Sequence, residues 1–433
     1  MAESYSVKAV LCAEDKNFSS MMKSCNSYAE NLKNTLTSGI GFGAMAAIGS
    51  KAVSAVGSGL KSLTTGAISA GANFENAMSS VAAISGATGS DFDRLSEKAK
   101  QLGKSTQYTA SETASAMEYM AMAGWKTEDM LNGIEGVMDL AAASGEDLAG
   151  VSDIVTDAMT AFGLSANGTT KIIKDGFTKE VSNASHFADV LAAASANSNT
   201  NVAMLGESFK YAAPVAGSLG YSVEDTAIAL GLMASSGLKS SMAGSSLRTI
   251  LTNLAKPTDD ISDAMDYLGI SLQNGDGSMK SLMDIVTDLR GAFGQCKMPM
   301  DQFQENLAKL DEKYANGELT EKKYNEALAD LTEKAYGAEG ALKAKYAATL
   351  AGKEGMSGLL SIVSAAPEDF DKLTNAIYNS DGAAKEMAEI KMDNLQHDVV
   401  KLQSAMEGLG ITAFNQVGGK MRGLVGIATE MVG

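Results

Sequence analysis

Apolar positions alternate over residues 5–11, where Tyr5, Val7, Ala9 and Leu11 point one way, and this predicts one short N-terminal strand. The period then changes. Phe18, Met22, Cys25, Ala29, Leu32 and Leu36 follow 4-3-4-3-4 spacing, a seam of nearly three heptads. Such a seam either joins copies of the chain in a coiled coil or packs an amphipathic helix onto its own domain. Residues 39–74 are a Gly/Ala/Ser tract in which Gly39 and Gly43, then Ala55 and Gly59, have small-xxx-small spacing. That spacing suits close helix packing, or a mobile tract that orders on assembly. Lys51 and Lys61 interrupt the tract, so no uncharged run reaches the ~20 apolar residues that cross a bilayer.

From residue 75 to 298 the apolar period is helical. Val137, Leu140 and Ala141 share a face, as do Leu148, Val151, Ile154, Val155, Ala158, Met159 and Phe162. Thr109 with Glu112 reads as a capping box, and Ser222 with Asp225 as a second one. Gly124, Gly145, Gly163, Gly220 and Gly237 stand where these helices should stop. Residues 299–346 are denser in charge, and the break at Asn316-Gly317 makes them a helical hairpin whose second helix is capped by Thr320. Residues 347–433 resume the small-residue, Gly-punctuated pattern of 75–298. Pro367 starts a helix there, and a long amphipathic helix is predicted from Gly382 to Gly408. The apolar pattern runs to the last residues, Val432-Gly433, and is expected to continue in a longer protein.

The helical body contains a duplication. Tyr108–Lys126 (YTASETASAMEYMAMAGWK) and Tyr221–Lys239 (YSVEDTAIALGLMASSGLK) align without a gap. They match at Tyr, Thr113/Thr226, Ala114/Ala227, Ala116/Ala229, Ala121/Ala234, Gly124/Gly237 and Lys126/Lys239. The fold expected is all-α: stacked antiparallel helices with duplicated helical units, one short N-terminal strand and long helices toward the C-terminus. Its segments are 1–38 (strand and heptad helix), 39–74 (Gly/Ala tract), 75–298 (core with the repeat), 299–346 (charged hairpin) and 347–433 (C-terminal helices).

Composition sharpens this. Hydrophobic residues are 45% of the chain but aromatics only 6%, with 44 Gly and 25 Met, so the core must be built of small and flexible side chains. Four prolines leave long helices uninterrupted. A net charge of −17 disfavours binding to a phosphate backbone, and no sequence-specific nucleic-acid partner is expected. Cys12, Cys25 and Cys296 form no CxxC pair, which predicts neither a disulfide framework nor a zinc site. The N-terminus lacks the basic and apolar regions of a signal peptide.

Chemistry is sparse. His186 and His397 are the only histidines, and neither has a second ligand at metal spacing. There is no HExxH, no Walker loop and no GxGxxG after a strand. Gly275-Asp276-Gly277 reads as a turn, and Asp259-Asp260 as the acidic start of a helix after Pro257. The chain is therefore expected to be no enzyme, with no catalytic, cofactor or metal residues.

Four blocks, in order, carry a family resemblance: VKAVLCAEDKNF (Val7–Phe18), the stretch Phe74–Leu131 that contains LGKSTQYTASETASAMEYMAMAGWK, Ser218–Thr258 beginning SLGYSVEDTAIALGLMASSGLK, and Gly352–Leu373 ending SAAPEDFDKL. Together they resemble the core region of phage tail tape measure proteins over roughly 300 of the 433 residues. The resemblance implies a structural protein, made in the host cytoplasm, that lies in the tail tube lumen. Its implied partners are tube subunits, tail assembly chaperones and the tail tip or baseplate hub. It implies a template that sets tail length and leaves ahead of the genome, with membrane contact during ejection. The residues themselves add a homo-oligomer through Phe18, Met22, Cys25, Ala29, Leu32 and Leu36. Helices suit a ruler because their rise is constant; the whole chain as helix would span about 650 Å at ~1.5 Å per residue. The rival readings are a membrane-active helical protein, as a pore-former or secreted toxin, and a wall hydrolase.

Overall fold

The computed structural model describes residues 52–432 apart from 167, 175–176, 295–299 and 337–338. The predicted strand at 5–11 and the heptad seam from Phe18 to Leu36 lie outside the described residues. The helices in order are α1 (Ala52–Ser85), α2 (Ser90–Ser105), α3 (Ala110–Met122), α4 (Thr127–Ser144) and α5 (Leu148–Ala161). A hairpin of β1 (Thr169–Lys174) and β2 (Phe177–Ser182) follows. Next come α6 (Asn183–Asn197), α7 (Val202–Ser218), α8 (Val223–Ser235), α9 (Ser240–Ala255), α10 (Asp259–Leu268) and α11 (Leu282–Gly294). The chain then runs through α12 (Met300–Ala315), α13 (Glu321–Tyr336), α14 (Glu339–Val363), α15 (Pro367–Tyr378), α16 (Ala383–Met392) and α17 (Leu395–Val432). The all-α expectation holds apart from the small hairpin.

The described residues divide into two compact units, one of Phe74–Gly408 and one of the residues before and after it. In the smaller unit a Cβ on Gly71 would lie 2.1 Å from the Phe414 ring, so this small residue admits an aromatic side chain against the helix. The larger unit holds the duplication.

The duplicated unit is three helices long. α2, α3 and α4 recur as α7, α8 and α9, and Ala110–Met122 corresponds to Val223–Ser235 residue for residue. The helix starts are set alike: Thr109 and Ser222 both have φ −74 and ψ 162, and each hydroxyl accepts from the backbone N–H three residues on. The stops are alike too. Gly124 and Gly237 have φ of 89 and 93, a left-handed conformation that costs a residue with a Cβ. In both, the next residue's N–H reaches back to a methionine carbonyl (Trp125 to Met120, Leu238 to Met233, each 3.0 Å), which closes a Schellman motif.

One expectation needs correction. Thr109–Glu112 forms the full capping box, but Ser222–Asp225 does not. Glu112 is exposed and its carboxylate turns back to the Thr109 N–H at 2.8 Å, whereas Asp225 is buried and its carboxylate serves two distant donors.

The copies also differ in how closely their helices approach. The first has Leu95 and Leu131 where the second has Ser208 and Gly244. A Cβ on Gly244 would stand 2.2 Å from the Ser208 carbonyl oxygen, so α7 and α9 meet backbone to backbone. Ser208 Oγ bridges them by donating to Met204 O (3.0 Å) and Ser240 O (2.8 Å). On its other side α9 meets α14 through Gly355 and Gly358, the latter against Ser246. The result is that α8 is buried from Thr226 to Ala234 all the way round, as its nearly continuous apolar sequence requires. α6 is a second central helix, with Ala188, Ala192 and Ala194 buried and Phe187 set edge-on to Phe209 at 5.6 Å.

Two further elements depart from the sequence-based expectation. The β1–β2 hairpin, paired antiparallel from Thr169/Ser182 to Lys174/Phe177, stands where helix is predicted. Its sequence signal is Asp175-Gly176 between β-branched runs. The long helix expected over 382–408 is two helices, interrupted at Asp393-Asn394, where Asn394 Oδ1 accepts from the His397 N–H at 3.2 Å and starts α17. α12 and α13 are joined by a turn at Asn316-Gly317. Thr320 caps α13, and Tyr314 and Tyr324 pack with ring centroids 4.6 Å apart.

Candidate functional site

The two carboxylates that the core buries, Asp189 and Asp225, lie where α15 and α16 pack on the helical body. Asp225, near the start of α8, donates its backbone N–H to the Ser222 hydroxyl that caps the helix, and its carboxylate is buried. Oδ1 accepts from Tyr378 Oη at 2.5 Å and Oδ2 from the Met283 N–H, in the first turn of α11, at 3.2 Å. Asp189, on α6, accepts from the N–H groups of Gly382 (2.8 Å) and Ala384 (3.0 Å), and so caps α16 from another helix. His186, one turn before Asp189, places Nε2 at 2.7 Å from Glu224 Oε1. At the rim Lys179 of β2 pairs with Asp381 at 3.0 Å, and Lys391 Nζ reaches Ala143 O at 3.3 Å. Arg290 of α11 donates to Ile362 O and Ala365 O, at 2.7 and 2.8 Å, and so caps the end of α14.

This arrangement is a clasp between helices. Asp225 and Asp189 each accept two hydrogen bonds from the same chain, which fixes their orientation. The apolar partners of the clasp are Leu373, Ile377, Ala384 and Ala388, all buried. Leu373 would clash with a Cβ on Gly231, so α15 sits against the bare backbone of α8. The histidines prove separate: His397 Nδ1 contacts Asn394 Oδ1 at the exposed start of α17, while His186 belongs to the clasp. Among the described residues no group of His, Cys, Asp or Glu could hold a metal ion.

Electrostatics show which groups the core holds at a cost. Burial pushes the Asp189 carboxyl up, and the N–H groups of Gly382 and Ala384 oppose it. Burial also acts to raise Glu224, but the hydrogen bond and charge of His186 outweigh it and hold Glu224 below its usual range. Burial pushes Asp139 of α4 up to about 6 against the opposing field of Lys385, with Glu135, Asp189 and Glu389 adding to the rise. A carboxyl whose pKa is higher folded than unfolded favours the fold at low pH and loses that contribution as pH rises through about 6. Asp139→Asn is therefore expected to stabilise the protein at pH 8 by about 1–2 kcal/mol, after allowance for solvent screening of this half-buried group, and to be neutral near pH 4. Denaturant midpoints at the two pH values check this; equal shifts at both would contradict it.

The surface offers one further pattern. On α17 Leu395, Val399, Leu402, Met406 and Leu409 are exposed, at 78%, 46%, 61%, 48% and 52%. The opposite face of the same helix is engaged: Ser404 Oγ donates to Gln107 O at 2.7 Å and Glu407 accepts from Ser111 Oγ at 2.7 Å. Among the described residues no helix is long and apolar enough to cross a membrane.

Comparison with known proteins places these features. The family model described as phage-related minor tail protein matches residues 96–310, which contain both Tyr108–Lys126 and its repeat Tyr221–Lys239. The tape measure protein of Pneumococcus phage Dp-1 is 33% identical over 428 residues, which is 99% of this chain and 32% of that one. The probable tape measure protein of Escherichia phage P2 is 25% identical over 339 residues, 78% of this chain and 35% of that one. The chain thus spans about a third of the length of these curated relatives. No solved structure matches significantly.

Proposed function

Because the chain belongs to the family of phage tail tape measure proteins, we propose that it is a structural component of the phage tail, acting in the tube lumen as part of the template that sets tube length. The observation that carries this reading is the alignment of 99% of the chain with a protein named as a tape measure. The helical architecture supports it, since a ruler needs a repeating rise that does not vary with sequence. The clasp supports a non-enzymatic role, because the buried carboxylates it contains are spent on holding helices. Tube subunits, assembly chaperones and the tip or hub are the partners this reading entails, with self-association through Phe18 to Leu36. Within it, residues 1–38 and 39–74 serve assembly, 75–298 is the folded core, 299–346 an added hairpin and 347–433 the helices of the clasp and the long last helix.

Removal of residues 299–346 from the full-length gene tests the ruler. If these residues are measured as helix, tails shorten by roughly 70 Å at ~1.5 Å per residue, read from electron micrographs. Tails of unchanged length would assign the hairpin to assembly instead. The membrane-active alternative finds no spanning helix among the described residues to favour it.

A further inference from the structure

We propose that the exposed face shared by α7 and α9 docks an acidic amphipathic helix of a second protein. The two copies of the duplicated unit treat this face differently. In the first copy α2 and α4 close it with charge: Arg94 pairs with Glu128 and Lys98 with Glu135, beside Asp91 and Asp129. In the second copy Met204 and Met242 stand in the places of Asp91 and Asp129. Glu207 and Ser241 stand in those of Arg94 and Glu128, and Tyr211 and Arg248 in those of Lys98 and Glu135. The Arg248 guanidinium lies over the Tyr211 ring, 5.9 Å from its centroid, so the two helices face each other in the same register in both copies. Met204, Tyr211 and Met242 are exposed, Met242 at 65%.

The chain alone gains nothing from these methionines. Asp129 accepts from the Lys126 N–H at 2.8 Å at the start of α4, whereas Met242 has no such acceptor, and α9 begins without a side-chain cap. Met242 forgoes that cap and remains in water. A partner that covers Met204, Tyr211 and Met242 recovers their burial, and methionine adapts to whatever aliphatic side chain is laid on it.

The charges select the partner. Together with Lys239, α7 and α9 carry three cations, Lys210, Lys239 and Arg248, and one carboxylate, Glu207. Asp153 matches Lys210 at 3.9 Å. Among the described residues Arg248 and Lys239 have no carboxylate partner, although the chain carries a net charge of −17. In the first copy Lys126, the counterpart of Lys239, reaches Ser85 O at 3.4 Å. Exposed apolar side chains flanked by free cations fit aliphatic residues flanked by carboxylates. Met204 and Tyr211 lie seven residues apart on α7, about 10 Å, and a helix laid along them meets both with residues two turns apart. A phosphate backbone is opposed by the net charge. The docking face stands whether or not the chain measures tails.

The full-length chain is titrated with a fluorescent helical peptide of about five turns, with leucines on one stripe and glutamates beside it, and binding is read by anisotropy. The same peptide with glutamine for every glutamate is the comparison. The glutamate peptide is expected to bind at least about threefold tighter, against the repulsion of the net charge. Met204→Asp with Met242→Asp, the residues of the first copy, should weaken its binding at least about tenfold. Arg248→Glu should abolish the preference for glutamate. All three side chains are exposed, so the melting curves of these variants stay close to that of the parent and show that the fold is kept. Three results overturn the proposal: no binding of the glutamate peptide to the parent, binding that M204D/M242D leaves unchanged, or displacement of the peptide by neutral phosphatidylcholine vesicles, which would make this face a membrane contact.

Discussion

Asp225→Ala is expected to destabilise the folded core by about 3 kcal/mol, seen as a lower denaturant midpoint with an unchanged slope. The carboxylate accepts two hydrogen bonds, from Tyr378 Oη and the Met283 N–H, and charge-assisted bonds contribute about 1.5–3 kcal/mol each. Part of that gain is returned, because alanine no longer requires a charge to be buried. Asp225→Asn keeps the shape and an acceptor oxygen, so its loss should be less than half as large. Tyr378→Phe removes one bond and should fall between. If D225A and D225N behaved alike and both cost under ~0.5 kcal/mol, the clasp would not be what holds α15 and α11 to the body.

Gly244→Ala is the second large effect, a loss of about 2–3 kcal/mol. The new Cβ would stand 2.2 Å from the Ser208 carbonyl oxygen and 2.9 Å from Tyr211 Cβ. A carbonyl cannot swing aside as a side-chain tip can, so α7 and α9 must separate and lose contact along their length. Alanine's better helix propensity returns about 1 kcal/mol of this. Gly291→Ala in α11 supplies the control, since a Cβ there meets nothing within 4 Å, and it should be neutral or stabilising. Thermal or denaturant unfolding of both variants decides the matter; equal stabilities would mean that the close approach of α7 and α9 carries no weight.

These two positions mark what the sequence can and cannot reveal. Helix ends are legible because their causes lie within four or five residues: the Thr109 hydroxyl, the left-handed glycines Gly124 and Gly237, and Pro367 at the start of α15. The β1–β2 hairpin has a local cause as well, Asp175-Gly176 between β-branched runs, but the helical period on both sides of it masks so short an element. The break before α17 is hidden because neither glycine nor proline marks it; the local cause is the single Asn394 side chain. Asp225 reads as a local cap because its position is that of a cap. Its partners lie 58 and 153 residues away, and no local pattern encodes them. The same holds for Gly244. In the sequence it is one helical glycine among many, and only the neighbour brought by the fold makes its missing Cβ matter. The duplication is visible in one dimension, but the changed spacing of its second copy, from Leu95/Leu131 to Ser208/Gly244, becomes intelligible only in three.

The clasp also bears on the order in which the chain is made. Asp189 and Asp225 leave the ribosome well before Tyr378, Gly382 and Ala384, the groups that satisfy them. At ~5–20 residues per second the interval from Asp225 to Ala384 is roughly 10–30 s. During that interval α8 lacks the cover of α15, and its Ala- and Leu-rich face, including the bare backbone at Gly231, is open to water and to other nascent chains. The core of this protein is thus completed late, by helices that lie more than 150 residues along the chain from Asp225.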